Sequence, residues 1–485
     1  MTQIKKSLRD SKFARWGALS IVAFTMLTGY LFQEIISPLK PMLESEYGWT
    51  GSDFGTVTSA YGWFNVFLFM LVIVGIILDK VGVRISAISS ALIMLIGASI
   101  KYYSLKYVDS SEMVDLVLFG NIKVQVILAG LGFGIFGVGV EYAGITVSKI
   151  IVKWFKGKEM ALAMGLEMAT ARLGSFVSLA AAPFIAKSMS ITAPIAMGVV
   201  MLIIGLVFFF FYYGMDKKLD AEISADETED DNSEEFKVSD IFEIINNRGF
   251  WYIAILCVLF YSAVFPFYKY GPDLMVNKFG VSNDFAGIVP SLLPFGTILL
   301  TPFFGNLYDR KGKGASIMFL GAILLIFVHF TLWLPSLNSV VVAVIAVIVL
   351  GVAFSLVPSA MWPSVPKIIP ERQLGTAYAL IFWVQNWGLM GIPWLLGKTL
   401  DWTNPEIVQQ LASKRAEFEA LGLSNNEIAE KIDKLRASGE ILPWDYSQTW
   451  MIFIALTLLS LVFAFLLKAE DKRKGYGLEL PNIEK

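Results

Sequence analysis

Four of the ionisable side chains inside the long apolar runs of this chain stand out: Glu34, Glu141, Arg172 and Lys269. A charge at the centre of a hydrocarbon layer costs about 2.5–3.5 kcal/mol on insertion scales, so each is a candidate functional group. Their types suit a zwitterion. The planar guanidinium of Arg172 can take a carboxylate through two parallel hydrogen bonds, and Glu141 or Glu34 can take an ammonium. A structural alternative stands beside this: Glu141 and Arg172 neutralise one another between neighbouring segments, and Lys269 snorkels to the interface along its aliphatic stem. Glu167 lies nearer a segment end and is expected at the interface. The single histidine, His329, is expected to be a hydrogen-bonded spacer and not a proton relay. With one histidine and one cysteine, Cys257, a metal set or a disulfide framework is not expected. No nucleophile–base pair and no phosphate-cradling Walker motif is present, so neither an enzyme nor a cofactor is expected.

The elements that position these groups are membrane spans. Hydrophobic residues make up 56% of the 485 and charged residues only 16%, against about 25% charged in soluble domains. The net charge of −2 leaves no basic excess for nucleic acid. Apolar runs fall at 16–38, 53–78, 83–105, 121–152, 159–186, 192–213, 249–276, 284–308, 314–335, 338–368, 373–399 and 447–468, twelve in all. Each can cross a hydrocarbon core about 30 Å thick at about 1.5 Å per residue. Glu141 lies about eleven residues, or roughly 16 Å, from the inner end of run four. Arg172 is near the middle of run five, Glu34 in the outer third of run one, and Lys269 two turns short of the outer end of run seven.

Lys and Arg gather in alternate loops: Lys80 and Arg84, then Lys153 to Lys158, Arg310 to Lys313, Lys367 and Arg372, and the tail from Lys468. The positive-inside rule then predicts a cell-membrane protein with both termini cytoplasmic. The predicted organisation is a six-helix half over 1–213, an acidic solvated linker over 214–247, a second six-helix half over 248–468 and a tail over 469–485. Within the second half, residues 400–446 read as an outer insert of two short amphipathic helices, either a capping hairpin or a docking element for a partner. A monomer in the bilayer is expected. Gly130, Gly132, Gly134, Gly137 and Gly139 crowd run four, where small residues allow close helix packing.

One pattern repeats at long range. Gly75-Ile-Ile-Leu-Asp79-Lys80-Val-Gly82-Val-Arg84 closes run two, and Gly305-Asn-Leu-Tyr-Asp309-Arg310-Lys-Gly312 closes run eight, 230 positions later. Both read G-x-x-x-D-[K/R]-x-G and map one half onto the other as a parallel repeat. The expected roles are close helix approach at Gly75 and Gly305, an anion at a helix N-terminus for Asp79 and Asp309, and loop anchoring by the basic residues.

This duplicated motif resembles the signature of the major facilitator superfamily, which implies an all-α fold of twelve transmembrane helices in two six-helix halves. Within it, Trp154-Phe-Lys-Gly-Lys-Glu159, Gly165-Leu-Glu, Ala171-Arg172-Leu-Gly174-Ser175, Tyr261-Ser-Ala-Val-Phe-Pro-Phe267, Trp362-Pro363, Pro370 to Tyr378 and Gln385-Asn386 are similar to the major facilitator superfamily domain-containing protein 1 family, whose animal members are lysosomal dipeptide transporters. The chain departs from the animal pattern in its 400–446 insert. The resemblance implies that runs one, four, seven and ten line a central path, placing Glu34, Glu141 and Lys269 on its wall. It also implies that Glu34, Glu141 and Arg172 stand where the family has two acids and an arginine. Tyr30, Tyr61, Trp362, Gln385 and Asn386 complete the candidate pocket, and Gly75, Asp79, Lys80, Gly82, Arg84, Gly305, Asp309, Arg310 and Gly312 the candidate gate.

Two functions follow. The first is secondary or facilitative transport of dipeptides by alternating access. The alternative is a proton-coupled organic-anion symporter, with Arg172 and Lys269 holding a carboxylate and Glu141 or Glu34 carrying the proton. The E-x-x-E-[R/K] motif of proton-coupled oligopeptide transporters is absent from run one, so uniport and proton symport both remain open. A non-transporting scaffold on the same fold would leave the buried charges without a role.

Overall fold

The computed structural model describes residues 8–116, 120–155, 158–223, 238–370 and 373–482. Positions 156–157 and 371–372 of the two quoted motifs, and 224–237 of the expected linker, lie outside the described residues. In a bilayer every backbone N–H and C=O must be satisfied within the protein, which leaves long helices as the solution for these apolar runs.

The chain runs through α1 (Lys12–Glu34), α2 (Lys40–Tyr47), α3 (Gly51–Ser59), α4 (Trp63–Phe67) and α5 (Met70–Tyr107) to a two-stranded antiparallel hairpin, β1 (Met113–Leu116) with β2 (Gly120–Lys123). Then come α6 (Val124–Phe155), α7 (Met160–Ser188), α8 (Ala193–Ile223), α9 (Val238–Ile245), α10 (Arg248–Asn277), α11 (Ile288–Lys311), α12 (Gly314–Trp333), α13 (Val340–Ile368) and α14 (Leu374–Thr403). Last are α15 (Pro405–Ala420), α16 (Asn425–Ala437) and α17 (Ser447–Lys474).

Ten stretches are long and apolar enough to cross a membrane, and an eleventh is the bent pair Gly51–Phe67 with Met70–Tyr107. That pair is two crossings. Its second helix is broken at Gly82, whose φ of 77° and ψ of 169° are not helical and suit glycine alone. Among the described residues twelve crossings result, in two halves. Gly312, the counterpart of Gly82 in the second half, also has a positive φ of 68°, so the closing glycine of the repeat does the same backbone work twice. Many large apolar side chains, Leu299, Phe303 and Phe465 among them, are exposed on the flanks, as hydrocarbon contact requires.

Two expectations need correction, and one element is new. Helix α8 does not stop at 213 but continues to Ile223. On it the supposedly solvated Asp216 is buried, accepting from Trp154 Nε1 at 2.9 Å, Tyr212 Oη at 2.9 Å and Lys153 at 2.8 Å. The tail beyond Lys474 is packed: Leu478 and Glu479 carbonyls accept from the backbone of Gly314 and Lys313 at the start of α12. The β1–β2 hairpin between α5 and α6 was not foreshadowed by the sequence pattern. The insert does form two helices, α15 and α16, which pack on each other through Phe418, Ile428 and Ile432.

The face carrying the start of α1 and the end of α17 is here the terminal face, and the opposite one the distal face. The halves meet towards the distal face. There α3 lies so close to α14 that a Cβ on Gly397 would sit 2.2 Å from the Gly51 carbonyl. Asp401 of α14 accepts from the Gly51 and Ser52 amides at 2.8 and 2.7 Å, an anion on the N-terminus of α3. Lys40 pairs with Asp273 at 2.7 Å and Arg436 of α16 with Glu44 at 2.9 Å. Among the described residues, the side-chain hydrogen bonds and ion pairs that join the halves come no nearer the terminal face than Trp383 Nε1 to the Val66 carbonyl, at 3.1 Å. The bundle is closed distally.

Candidate functional site

The structure pairs Lys269 with Glu34, and not Arg172 with Glu141. Helix α1 ends at Glu34, where a one-turn helix containing Pro38 takes over, so the carbonyls of its last turn lack helical partners. Lys269 of α10 fills that gap. Its Nζ donates to the Gln33 carbonyl at 2.9 Å and to Glu34 Oε2 at 2.7 Å, and Ser37 Oγ donates to the same carboxylate oxygen at 2.9 Å. Both charges are buried. Lys269 therefore does not snorkel to the interface.

Glu141 lies on α6, half-buried, and accepts from the Tyr61 hydroxyl at 2.9 Å. Tyr61 reaches it because the helix tightens to a single turn at Ala60–Gly62 between α3 and α4. Arg172 lies on α7, also half-buried. Its guanidinium carbon is 5.6 Å from the ring centre of Tyr30 on α1, 5.5 Å from Phe265 on α10 and 5.1 Å from Phe354 on α13. Among the described residues it makes no ion pair. Tyr30 stands within the field of Arg172, Glu141, Glu167 and Glu34, which ties the two open charges to one region. Glu167 is buried, 9% exposed.

Trp362 extends the aromatic wall. Its Nε1 donates to Tyr261 Oη at 3.0 Å, and its ring stacks on Phe382 at 4.9 Å. Tyr261 in turn stacks on Phe265 at 5.5 Å, which leads back to Arg172. Gln385 accepts from Cys257 Sγ at 3.5 Å and Asn386 donates to the Phe382 carbonyl at 2.9 Å, so both engage the packing around α14 and not the charged group. A small cavity of about 20 Å³ lies beside these residues, lined by Gln33, Tyr61, Phe133, Phe265 and Lys269 among others. His329 is buried, with Nε2 2.9 Å from the Ala263 carbonyl and its ring stacked on Phe453.

Phe265 and Phe354 were not singled out by residue type. Phe265 was legible in principle, since Tyr261, Phe265 and Lys269 recur every fourth position and share a helix face. Phe354 has no such signal. The criterion of charge inside an apolar run also fits Lys101 of α5, which belongs to the same neighbourhood.

The repeated loops behave differently from the expectation. A Cβ on Gly75 or Gly305 would meet nothing within 4 Å, so neither glycine mediates close approach in this conformation. Asp79 accepts from Lys149 Nζ at 2.7 Å and Asp309 from Asn482 Nδ2 at 2.9 Å. Neither caps a helix; that role falls to Asp401 on the distal face. Lys80 and Arg310 are exposed, while Arg84 lies 3.3 Å from Asp220 and 3.9 Å from Asp216 on α8.

Residues 22–393 match the sequence profile of the Major Facilitator Superfamily. The chain is 28% identical over 402 residues to the lysosomal dipeptide transporter MFSD1 of Danio rerio, covering 79% of this chain and 80% of that one. Similarity to the nitrite extrusion protein of Bacillus subtilis is 22% over 349 residues, covering 70% and 78%. In fold the chain matches the nucleoside transporter NupG at a TM-score of 0.66 and 14% identity, covering 93% of this chain and 99% of that one. It matches an inward-facing bacterial homologue of the human lysosomal transporter Spinster at 0.66 and 12% identity, covering 98% and 99%. With the profile spanning most of its length and twelve crossings in two halves, this chain belongs to the major facilitator superfamily and is a multi-pass membrane transporter of small molecules.

Proposed function

We propose that the transporter moves small peptides, dipeptides first, by alternating access of its two halves. One observation carries this. Of the four charges first singled out, Glu34 and Lys269 neutralise each other, while Arg172 and Glu141 are half-buried and, among the described residues, have no charged partner. A zwitterion answers both at once. Its carboxylate takes the guanidinium in bidentate fashion, its ammonium takes Glu141, and the Tyr61 hydroxyl already on that carboxylate orients it. Phe265, Phe354 and Trp362 supply apolar walls for the substrate's side chains. The similarity to MFSD1 supports the same substrate class. The distribution of Lys and Arg supports cytoplasmic termini, and the exposed Asp79–Lys149 pair belongs to the cytoplasmic gate.

The test is equilibrium exchange in proteoliposomes with labelled dipeptide and, separately, labelled monocarboxylate, beside a thermal-shift screen of the purified protein. A bound ligand raises the melting temperature by mass action. Dipeptide exchange and stabilisation without monocarboxylate exchange is the expected outcome. The reverse pattern would assign the site to organic anions, held by Arg172 and its three rings alone.

A further inference from the structure

Lys101 lies on the second part of α5 and is fully buried. Its Nζ has no hydrogen-bond partner among the described residues. The Phe133 ring on α6 faces it at 3.7 Å and the Phe32 ring on α1 at 5.5 Å. Helices α5 and α6 are tightly apposed at this level: a Cβ on Gly132 would lie 2.6 Å from the Lys101 backbone nitrogen. Desolvating a lone ammonium costs more than ring contacts return. A protonated Lys101 is therefore poorly accommodated in this conformation.

The charged groups acting on Lys101 are Lys269 from α10 and Glu34 from α1. Lys269 Nζ lies 5.8 Å from the centre of the same Phe133 ring. The Glu34–Lys269 bond joins the two halves near the distal closure, so opening the distal face must break it. Glu34 would then keep only Ser37. Lys101 belongs to the same half as Glu34 and stays beside it.

We propose that Lys101 is a proton-binding site of the transport cycle. It is neutral while Lys269 holds Glu34; it takes a proton from the distal solution and pairs with Glu34 when the distal face opens. On closure Lys269 returns to Glu34, and the Lys101 proton leaves towards the space lined by Lys269 and Tyr61. One proton accompanies each turn, whatever the cargo. This rests on alternating access but not on the dipeptide assignment.

The experiment needs no substrate. Spin labels on cysteines introduced at Ser111 and Ser336, exposed on the distal side of each half, report the distal opening by their separation; native Cys257 is buried. In the otherwise wild-type protein, acidification should raise the ratio of long to short separations by up to tenfold per pH unit, the limit for one linked proton. Lys101→Met should hold the short separation at every pH, and Lys101→Arg, permanently charged, the long one. The two variants err in opposite directions, so either one that folds decides the matter. A pH response in Lys101→Met equal to wild type, or no pH response in wild type, overturns the proposal. In proteoliposomes carrying labelled Ala-Ala, wild type should accumulate the dipeptide under a pH gradient, and Lys101→Met, held distally closed, should lose exchange and accumulation alike. If wild type carries no Ala-Ala, the dipeptide assignment fails while the separation measurement still decides the proton site.

Discussion

Tyr61 donates its hydroxyl to Glu141 Oε1 at 2.9 Å, linking the broken helix of the second crossing to the middle of the fourth. The bond holds one carboxylate oxygen in place, and among the described residues the carboxylate has no cationic partner. Under the proposed function, an arriving ammonium would meet an acid that is already oriented.

Glu141→Gln should abolish binding of free dipeptide while sparing N-acetylated peptides, which carry no ammonium. Tyr61→Phe should weaken dipeptide binding by roughly tenfold, the worth of one hydrogen bond to a charged group. Calorimetric titration with the paired ligands checks both. Equal loss for free and acetylated peptides would remove Glu141 from the ammonium site.

Arg172→Lys should lower affinity by about ten- to a hundredfold and leave the melting temperature of the unliganded protein near wild type. Lysine keeps the charge but cannot offer two parallel donors or stack as a plane among Tyr30, Phe265 and Phe354. Wild-type affinity in the folded variant would exclude a bidentate role.

The distal pair Lys40–Asp273 is buried on both sides, and Tyr446 also donates to Asp273. Removing one charge, as in Lys40→Met, should destabilise the distally closed form by about 3–5 kcal/mol because its partner is left uncompensated. Lys40→Met combined with Asp273→Leu should recover most of that loss. Thermal denaturation of the singles and the double closes the cycle; additive losses would contradict a coupled pair.

Backbone and side-chain hydrogen bonds from Ser424 hold Glu427, on the exposed insert helix α16, below its ordinary carboxylate pKa. A depressed acid contributes stability above its unfolded pKa of about 4.3 and loses it as pH falls through the folded value. The first turn of α16 should therefore loosen only on acidification below about pH 4.3. Ser424→Ala should speed amide exchange there about fivefold at neutral pH and lessen the pH dependence of the protection, the backbone bond from residue 424 to Glu427 remaining. Unchanged exchange in that variant would show that the cap does not govern the turn.

Gly82→Ala should strain the backbone by about 1–3 kcal/mol, because its φ of 77° with ψ of 169° is open only to glycine. A melting temperature equal to wild type would mean that the loop relaxes into another conformation.

Much of the architecture was legible in one dimension. A hydrocarbon core about 30 Å thick demands about 20 apolar residues per crossing, so the spans, and the rule that buried charge marks function, can be read from local composition alone. The 230-residue repeat likewise needs no coordinates, because both copies solve the same backbone problem at Gly82 and Gly312. Two amphipathic helices in the insert followed from their own periodicity.

What tertiary structure alone decided is which charge meets which. Lys269 finds Glu34 across 235 residues, and Arg172 finds three rings instead of Glu141, because helix tilt, rotation and the break after Glu34 set side-chain direction and none of these is written in composition. The same holds for Asp216, which looks solvated in an acidic stretch yet is buried because α8 runs on past the apolar run and brings it against Trp154, Tyr212 and Lys153. Local sequence sets the cost of placing a charge in the bilayer; only the packing of distant helices supplies, or withholds, the partner that offsets it.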